Sequence, residues 1–277
     1  VMKRGTPSMG GVVFITASIV GYFVGHLVGG DAVAVSGMLV LAMMLGVGLI
    51  GFLDDFLKVK RQNSIGLTGP FKILGTLLVA IVFGVIAIVY RDPNNRTPAS
   101  TSISFVRDLD FNFVTVFGAT FGIVLFIAWI VLITTATTNA VNLADGLDGL
   151  AIGPVIISAG TYLLWWNTAP AQIMMGDTGS FALGGALAAL AILTRTELLL
   201  MLIGGLFLVI TGQVIVQRIY FRVTHGKRIW RASPLHHHFE MKGWAEVTIV
   251  VRFWIISALF VAAGVGTFYL EWLSRVR

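Results

Sequence analysis

The 277-residue sequence contains no cysteine and little charge: Asp, Glu, Lys and Arg together make up only 12% of it. The first absence excludes a disulfide framework, thiol catalysis and cysteine-ligated zinc or iron–sulfur centres. The second, set against about 25% charge in soluble domains, excludes a soluble globular fold once 57% apolar residues and a mean hydropathy of +0.91 are added. Low-complexity tracts and solenoid repeats are missing. So are Walker and dinucleotide fingerprints around the frequent glycines, whose small-xxx-small pairs Gly21/Gly25 and Gly118/Gly122 read as close helix packing in lipid. What is there is an all-α polytopic membrane protein. The 19 basic against 13 acidic residues, a net +6, point to loop orientation and anionic partners in a lipid bilayer, not to nucleic acid.

A helical span needs about 20 apolar residues. Runs at 9–29, 32–53, 71–90, 114–135, 150–166, 181–193, 198–221 and 248–270 predict a bundle of about eight to nine transmembrane helices. The loop 54–72 carries Lys58, Lys60, Arg61 and Lys72; the loop 218–242 carries Arg218, Arg222, Lys227, Arg228, Arg231 and Lys242; the N-terminus carries Lys3 and Arg4. The positive-inside rule assigns these to the cytoplasm. Segment 91–113, rich in Pro, Asn and Ser with alternating Ile103, Phe105, Leu109, Phe111 and Phe113, predicts a small periplasmic hairpin.

Crossing counts conflict. Forward from the N-terminus 139–148 is cytoplasmic, backward from the basic loop 167–180 is cytoplasmic too, and one helix cannot begin and end on the same side. Residues 149–166 are therefore either a re-entrant hairpin or the joined remnants of two helices; we favour the second, and expect a single integral membrane domain over 1–277 with a piece missing near 160–163. The opening at Val1, directly into a basic motif, leads us to expect an earlier span as well.

Ionisable groups beside hydrocarbon are costly and are functional candidates. Asp54 and Asp55 close the second run, where two like charges at the negative end of a helix dipole need a compensating cation or a phosphate shared with Lys58 and Lys60. The ordinary reading is a wet loop entrance. Asn142, Asp145 and Asp148, three apart, share a face if helical and are otherwise a polar helix exit. Asp177 and Ser180 open the next span as an N-cap or a phosphate site. His236, His237 and His238 cannot all face one way, which argues against a three-histidine zinc site. Beside Arg228 and Arg231 they suit phosphate binding or proton carriage near neutral pH. Trp230, Phe239 and Trp244 fit a segment resting on lipid headgroups. Isolated His26 reads as structural.

Together, Gly5-Thr-Pro-Ser-Met-Gly-Gly11, Asp54-Asp-Phe-Leu-Lys58, Asn142-Leu-Ala-Asp-Gly-Leu-Asp-Gly149, Pro170-Ala-Gln-Ile-Met-Met-Gly-Asp177 and Pro234-Leu-His-His-His-Phe-Glu240 resemble the phospho-N-acetylmuramoyl-pentapeptide transferases, in the family's order. The resemblance implies a ten-helix fold and a homodimer in the bacterial inner (cytoplasmic) membrane. It implies Mg2+-dependent transfer of phospho-MurNAc-pentapeptide from UDP-MurNAc-pentapeptide to undecaprenyl phosphate on the cytoplasmic face, giving lipid I and UMP.

By the same resemblance Asp54 and Asp55 are the catalytic pair, with Asp54 the base. Asp177 is the metal ligand and His236 an essential histidine. Lys3, Asn142, Asp145, Gly146, Leu147, Asp148 and Asn167 match nucleotide-binding positions; Lys58, Met174, His237 and His238 are added from the residues themselves as substrate-binding candidates. Ser8 replaces the family's usual Thr, and Met174 stands where an aromatic residue usually stacks on uracil. A GlcNAc-1-phosphate transferase and, from another class, a membrane transporter are the competing readings. A transporter should place its charges near the midplane.

Overall fold

The computed structural model describes residues 9–62, 66–92, 95–147, 150 and 171–276. They form ten helices and one hairpin: α1 (Gly11–Gly29), α2 (Val35–Arg61), α3 (Gly69–Val89), β1 (Ser102–Ser104), β2 (Asp108–Asn112), α4 (Phe113–Phe117), α5 (Ala119–Ala144), α6 (Gly176–Leu193), α7 (Glu197–Ile203), α8 (Gly205–Val223), α9 (Leu235–Glu240) and α10 (Glu246–Val276). Among the described residues, seven helices are long and apolar enough to cross a membrane, namely α1, α2, α3, α5, α6, α8 and α10. The chain is a multi-pass membrane protein. The run at 150–166, the expected gap near 160–163, and Lys3, Asp148 and Asn167 lie outside the described residues.

Several helices depart from the apolar runs. α2 does not stop at Leu53 but continues to Arg61, where Gln62 in the left-handed conformation returns its N–H to Lys58 O and Val59 O. A helix backbone satisfies its own hydrogen bonds whether or not its side chains are apolar. Asp54 and Asp55 therefore lie inside the helix, and Lys58, Lys60 and Arg61, not the carboxylates, meet the negative end of its dipole. The run 114–135 is delayed: Asn112 caps a separate short α4 through Val114 N and Thr115 N, Gly118 at φ +81° ends it, and α5 then runs to Ala144. The run 198–221 breaks at Gly204 into α7 and α8.

The described residues divide into two compact units. The first, 8–139 and 175–200, is built on α2, which packs most extensively against α6 and also against α3 and α1. Its core joins Met43 and Val47 of α2, Ala80 and Phe83 of α3, Phe126 and Ile130 of α5, and Ala188 and Ile192 of α6. Small residues set how closely these helices approach: a Cβ at Gly11 would overlap Gly179, and one at Gly184 would overlap Thr138. The expected hairpin is present, antiparallel with Ser102 opposite Asn112 and Ser104 opposite Asp108, and it follows the end of α3 remote from Lys72.

The second unit, 140–174 with 201–277, packs α8 against α10 with α9 on both. Two buried glutamines one turn apart on α8 hold the strap that precedes α9. Gln217 accepts from Ile229 N and Trp230 N and donates to Trp230 O, while Gln213 accepts from the Ser233 hydroxyl and donates to Ala232 O.

Candidate active site

The charged centre of the first unit is assembled by α2, α3 and α6. Asp54 and Asp55 are neighbours on α2, and Asp177 is in the first turn of α6. They meet because Gly51, one turn before the pair, lets α6 touch the α2 backbone. A Cβ there would overlap Asp177 O and crowd Thr178 N. Asp55 Oδ2 then accepts from Thr178 N at 2.9 Å and from the Thr178 hydroxyl at 2.8 Å. A carboxylate from another helix thus takes the N-cap role that the sequence offered to Asp177 or Ser180. Gly176, at φ +70°, makes the tight entry beside Asp55. Asp54 Oδ1 accepts from Leu67 N at 2.6 Å, and Gly66 leaves room for that carboxyl.

Two ammonium groups lie among these carboxylates. Lys58 Nζ stands 2.5 Å from Asp54 Oδ2, 3.7 Å from Asp55 Oδ1 and 2.9 Å from Asp177 Oδ2. Lys72 Nζ, from the first turn of α3, stands 3.0 Å from Asp54 Oδ2 and 2.7 Å from Asp177 Oδ2. Asp54 Oδ2 is buried, and the two ammonium groups neutralise it. Lys72 is the site residue that sequence reasoning missed. It was read only as a positive-inside charge, and its place opposite Asp54 depends on how α3 packs on α2. A lysine one turn into the next helix, after a two-aspartate motif, was the available signal.

Asp54, Asp55 and Asp177 each offer an oxygen, all within 4.8 Å of one another, an arrangement that could hold a metal ion. An all-oxygen, carboxylate donor set fits a hard divalent cation. Three carboxylates against two ammoniums leave one negative charge in excess, which a divalent cation would reverse. Asp54 and Asp55 are buried while Lys58, Lys72 and Asp177 are part-exposed, so the cluster is open on the side of these three.

The other candidates belong to the second unit. Asn142 is on α5, Asp145 starts the turn after it, and Met174 is half-buried. His236 is fully buried against Gly146, where a Cβ would overlap its Nε2. Burial, then His237, lowers its pKa to about 3. Burial thus favours the neutral imidazole of His236. The three histidines diverge, as their spacing predicts: His237 Nδ1 meets Glu240 at 2.5 Å, while His238 Nδ1 accepts from Arg231 N at 3.1 Å.

A profile of Glycosyl transferase family 4 matches residues 37–165 and 159–195, and phospho-N-acetylmuramoyl-pentapeptide-transferase signature 1 matches residues 3–15. The sequence is 54% identical to the phospho-N-acetylmuramoyl-pentapeptide-transferase of Clavibacter michiganensis subsp. michiganensis, over 99% of this chain and 88% of that protein. The chain belongs to this transferase family. The like-named proteins of Kineococcus radiotolerans, 48% identical, and Renibacterium salmoninarum, 46% identical, are each covered over 87% of their length and 98% of this chain. This membership sets aside the transporter reading and favours a MurNAc-pentapeptide donor over GlcNAc.

Proposed function

We propose that this protein transfers phospho-MurNAc-pentapeptide from UDP-MurNAc-pentapeptide to undecaprenyl phosphate in the bacterial inner membrane, giving lipid I and UMP. The observation that carries the reading is the convergence of Asp54, Asp55 and Asp177 with Lys58 and Lys72. Phosphoryl transfer depends mainly on positioning and charge neutralisation, and this cluster supplies both. The lysine-rich end of α2 supports a cytoplasmic face for it by the positive-inside rule.

Asp177 would hold Mg2+ with help from Asp54 and Asp55; when bound, the ion would neutralise pyrophosphate oxygens and polarise the phosphorus. Lys58 and Lys72 exchange their carboxylate partners for phosphate oxygens as substrate enters. Asp54 takes the proton from the acceptor phosphate. An acceptor oxygen then attacks the sugar-bearing phosphorus, a new pyrophosphate bond forms, and the bond to the uridine-bearing phosphate breaks to release UMP. Asp55 keeps α6 and Asp177 in register through Thr178. Lys3, Asn142, Asp145, Gly146, Leu147, Asp148, Asn167, Met174, His237 and His238 are proposed for nucleotide and donor binding. His236, packed against Gly146, is proposed as the essential histidine of the site.

Two further readings remain proposals, the homodimer and a missing internal piece near 160–163. The second is supported by a family match that falls into two pieces overlapping at 159–165, and by an alignment of 325 positions with a relative.

The deciding experiment is UMP release from UDP-MurNAc-pentapeptide with undecaprenyl phosphate and Mg2+. Asp54→Asn and Asp177→Asn should each lose it, and UDP-GlcNAc should not replace the donor. Turnover near the parent rate in both variants would overturn the assignment.

A further inference from the structure

A cavity of about 480 Å3 lies within the second unit, between the end of α5, one face of α8 and the strap that leads into α9. Its volume falls in the range of small-ligand pockets, about 300–1,000 Å3. Val214, Arg218 and Phe221 line it from α8 as an i, i+4, i+7 row, Leu143 from the last turn of α5, and Arg228 and Pro234 from the strap. The strap is held in place over this face of α8 by Gln217 and Gln213, whose amides bind its backbone at Ile229, Trp230 and Ala232.

Two arginines of this lining differ from the other cations described above. Lys58, Lys72 and Arg195 each meet a carboxylate, and Arg231 donates to Met241 O at 3.4 Å. Among the described residues, neither Arg218 nor Arg228 has a carboxylate partner. Arg228 lies 5.7 Å from the centroid of the Phe221 ring, an attraction that uses the ring face and leaves the guanidinium N–H donors unspent. Two such forks beside one cavity match a small planar anion, and a carboxylate accepts from a guanidinium through both of its oxygens.

The walls indicate which carboxylate. Leu143 stands between Asn142 and Asp145, and Pro234 comes just before His236, which packs on Gly146. The cavity is therefore built from the same two segments that are proposed for donor binding. The donor's pyrophosphate already has a metal site and two lysines to meet it. Its remaining anions are the free carboxylates of its pentapeptide.

We propose that this cavity receives a free carboxylate of the donor's pentapeptide, held by Arg218 and Arg228, with apolar parts of the peptide against Val214, Phe221 and Leu143. The proposal rests on the transferase reading and adds where the peptide, as distinct from the nucleotide, is recognised. It makes these two arginines the groups that tell a peptide-bearing donor from a bare UDP-sugar.

The test uses Arg218→Gln and Arg228→Gln in the full chain, in nanodiscs of phosphatidylcholine with and without phosphatidylglycerol. UMP release is followed with UDP-MurNAc-pentapeptide as donor and peptide-free UDP-MurNAc as competitor. Arg222→Gln, on α8 outside the cavity, is the control. Each cavity variant should raise KM for the pentapeptide donor about tenfold, the scale of one lost charge-assisted hydrogen bond. Its kcat and the inhibition constant of UDP-MurNAc should stay at the parent values in both lipid compositions, and the control should match the parent throughout. An unchanged KM in both variants, an equal weakening of UDP-MurNAc, or a KM effect confined to discs with phosphatidylglycerol, which would give the arginines to a lipid headgroup, overturns the proposal. Failure of the parent protein to release UMP from the pentapeptide donor in either lipid would instead sink the transferase reading.

Discussion

Asp55 and Thr178, 123 positions apart in the chain, are joined by two hydrogen bonds to a single carboxylate oxygen. This fixes the first turn of α6 against the C-terminal third of α2, so the distance between Asp54 and Asp177 is set by helix packing. Thr178→Val keeps the shape and removes the hydroxyl donor. It should cost about 1 kcal/mol of stability, read as a lowered unfolding temperature in detergent. UMP release should fall more than that loss alone explains, because Asp177 shifts with the turn.

Lys72 should behave as a site residue and not as an orientation charge. Lys72→Met should reduce kcat by roughly a hundredfold, the scale for removing one preorganised charge-stabilising donor. Insertion and yield should stay normal, since Lys58, Lys60 and Arg61 still mark the same side. Lys72→Arg should recover little, because a planar guanidinium cannot occupy the compact position between Asp54 and Asp177.

Gly51→Ala tests the helix contact itself. The added methyl overlaps Asp177 O, and backbone cannot yield as a side chain end can. The variant should separate α2 from α6, lower the unfolding temperature, and weaken Mg2+-dependent stabilisation in a thermal shift measurement.

Glu197 gives a pH dependence remote from the chemistry. It is buried beside Ser104 of the hairpin, with Asp108 near and already paired to Arg195 at 3.2 Å. Burial raises its pKa from 4.5 to about 7. The folded protein therefore holds this proton more tightly than the unfolded chain. The stabilisation is fully present below pH 4.5 and is lost as pH rises through about 7. The unfolding temperature of the parent should drop across that window, and Glu197→Gln should flatten the drop.

Gln217→Leu should loosen the strap before α9. It strands the Ile229 and Trp230 N–H groups, each costing about 1–3 kcal/mol if left buried and unsatisfied. Limited proteolysis should cut the 224–234 segment faster in the variant than in the parent.

The three aspartates were legible in the sequence because few charges approach the hydrocarbon at all, so each one demanded an explanation. Their convergence at one site was the expectation, and they do lie within 4.8 Å of one another; the packing that achieves it was not legible. It rests on Gly51 and Gly176, which in sequence look like any other small residues of a membrane helix. Hydropathy located the spans but misjudged their ends, since α2 continues through Asp54, Asp55 and Lys58 on backbone hydrogen bonds alone. The unbroken apolar run 198–221 hid the interruption at Gly204 for the same reason. The burial of His236 against Gly146 was not legible either, because that contact spans ninety residues.

The extra length of α2 also ties the chemistry to the membrane's own dimensions. Because one straight rod is both gripped by lipid and the bearer of Asp54, a bilayer of different hydrophobic thickness must tilt or slide that rod. The reacting groups would then rise or sink relative to the headgroup plane where the acceptor's phosphate floats. Reconstitution in lipids of graded acyl length should therefore give a turnover optimum.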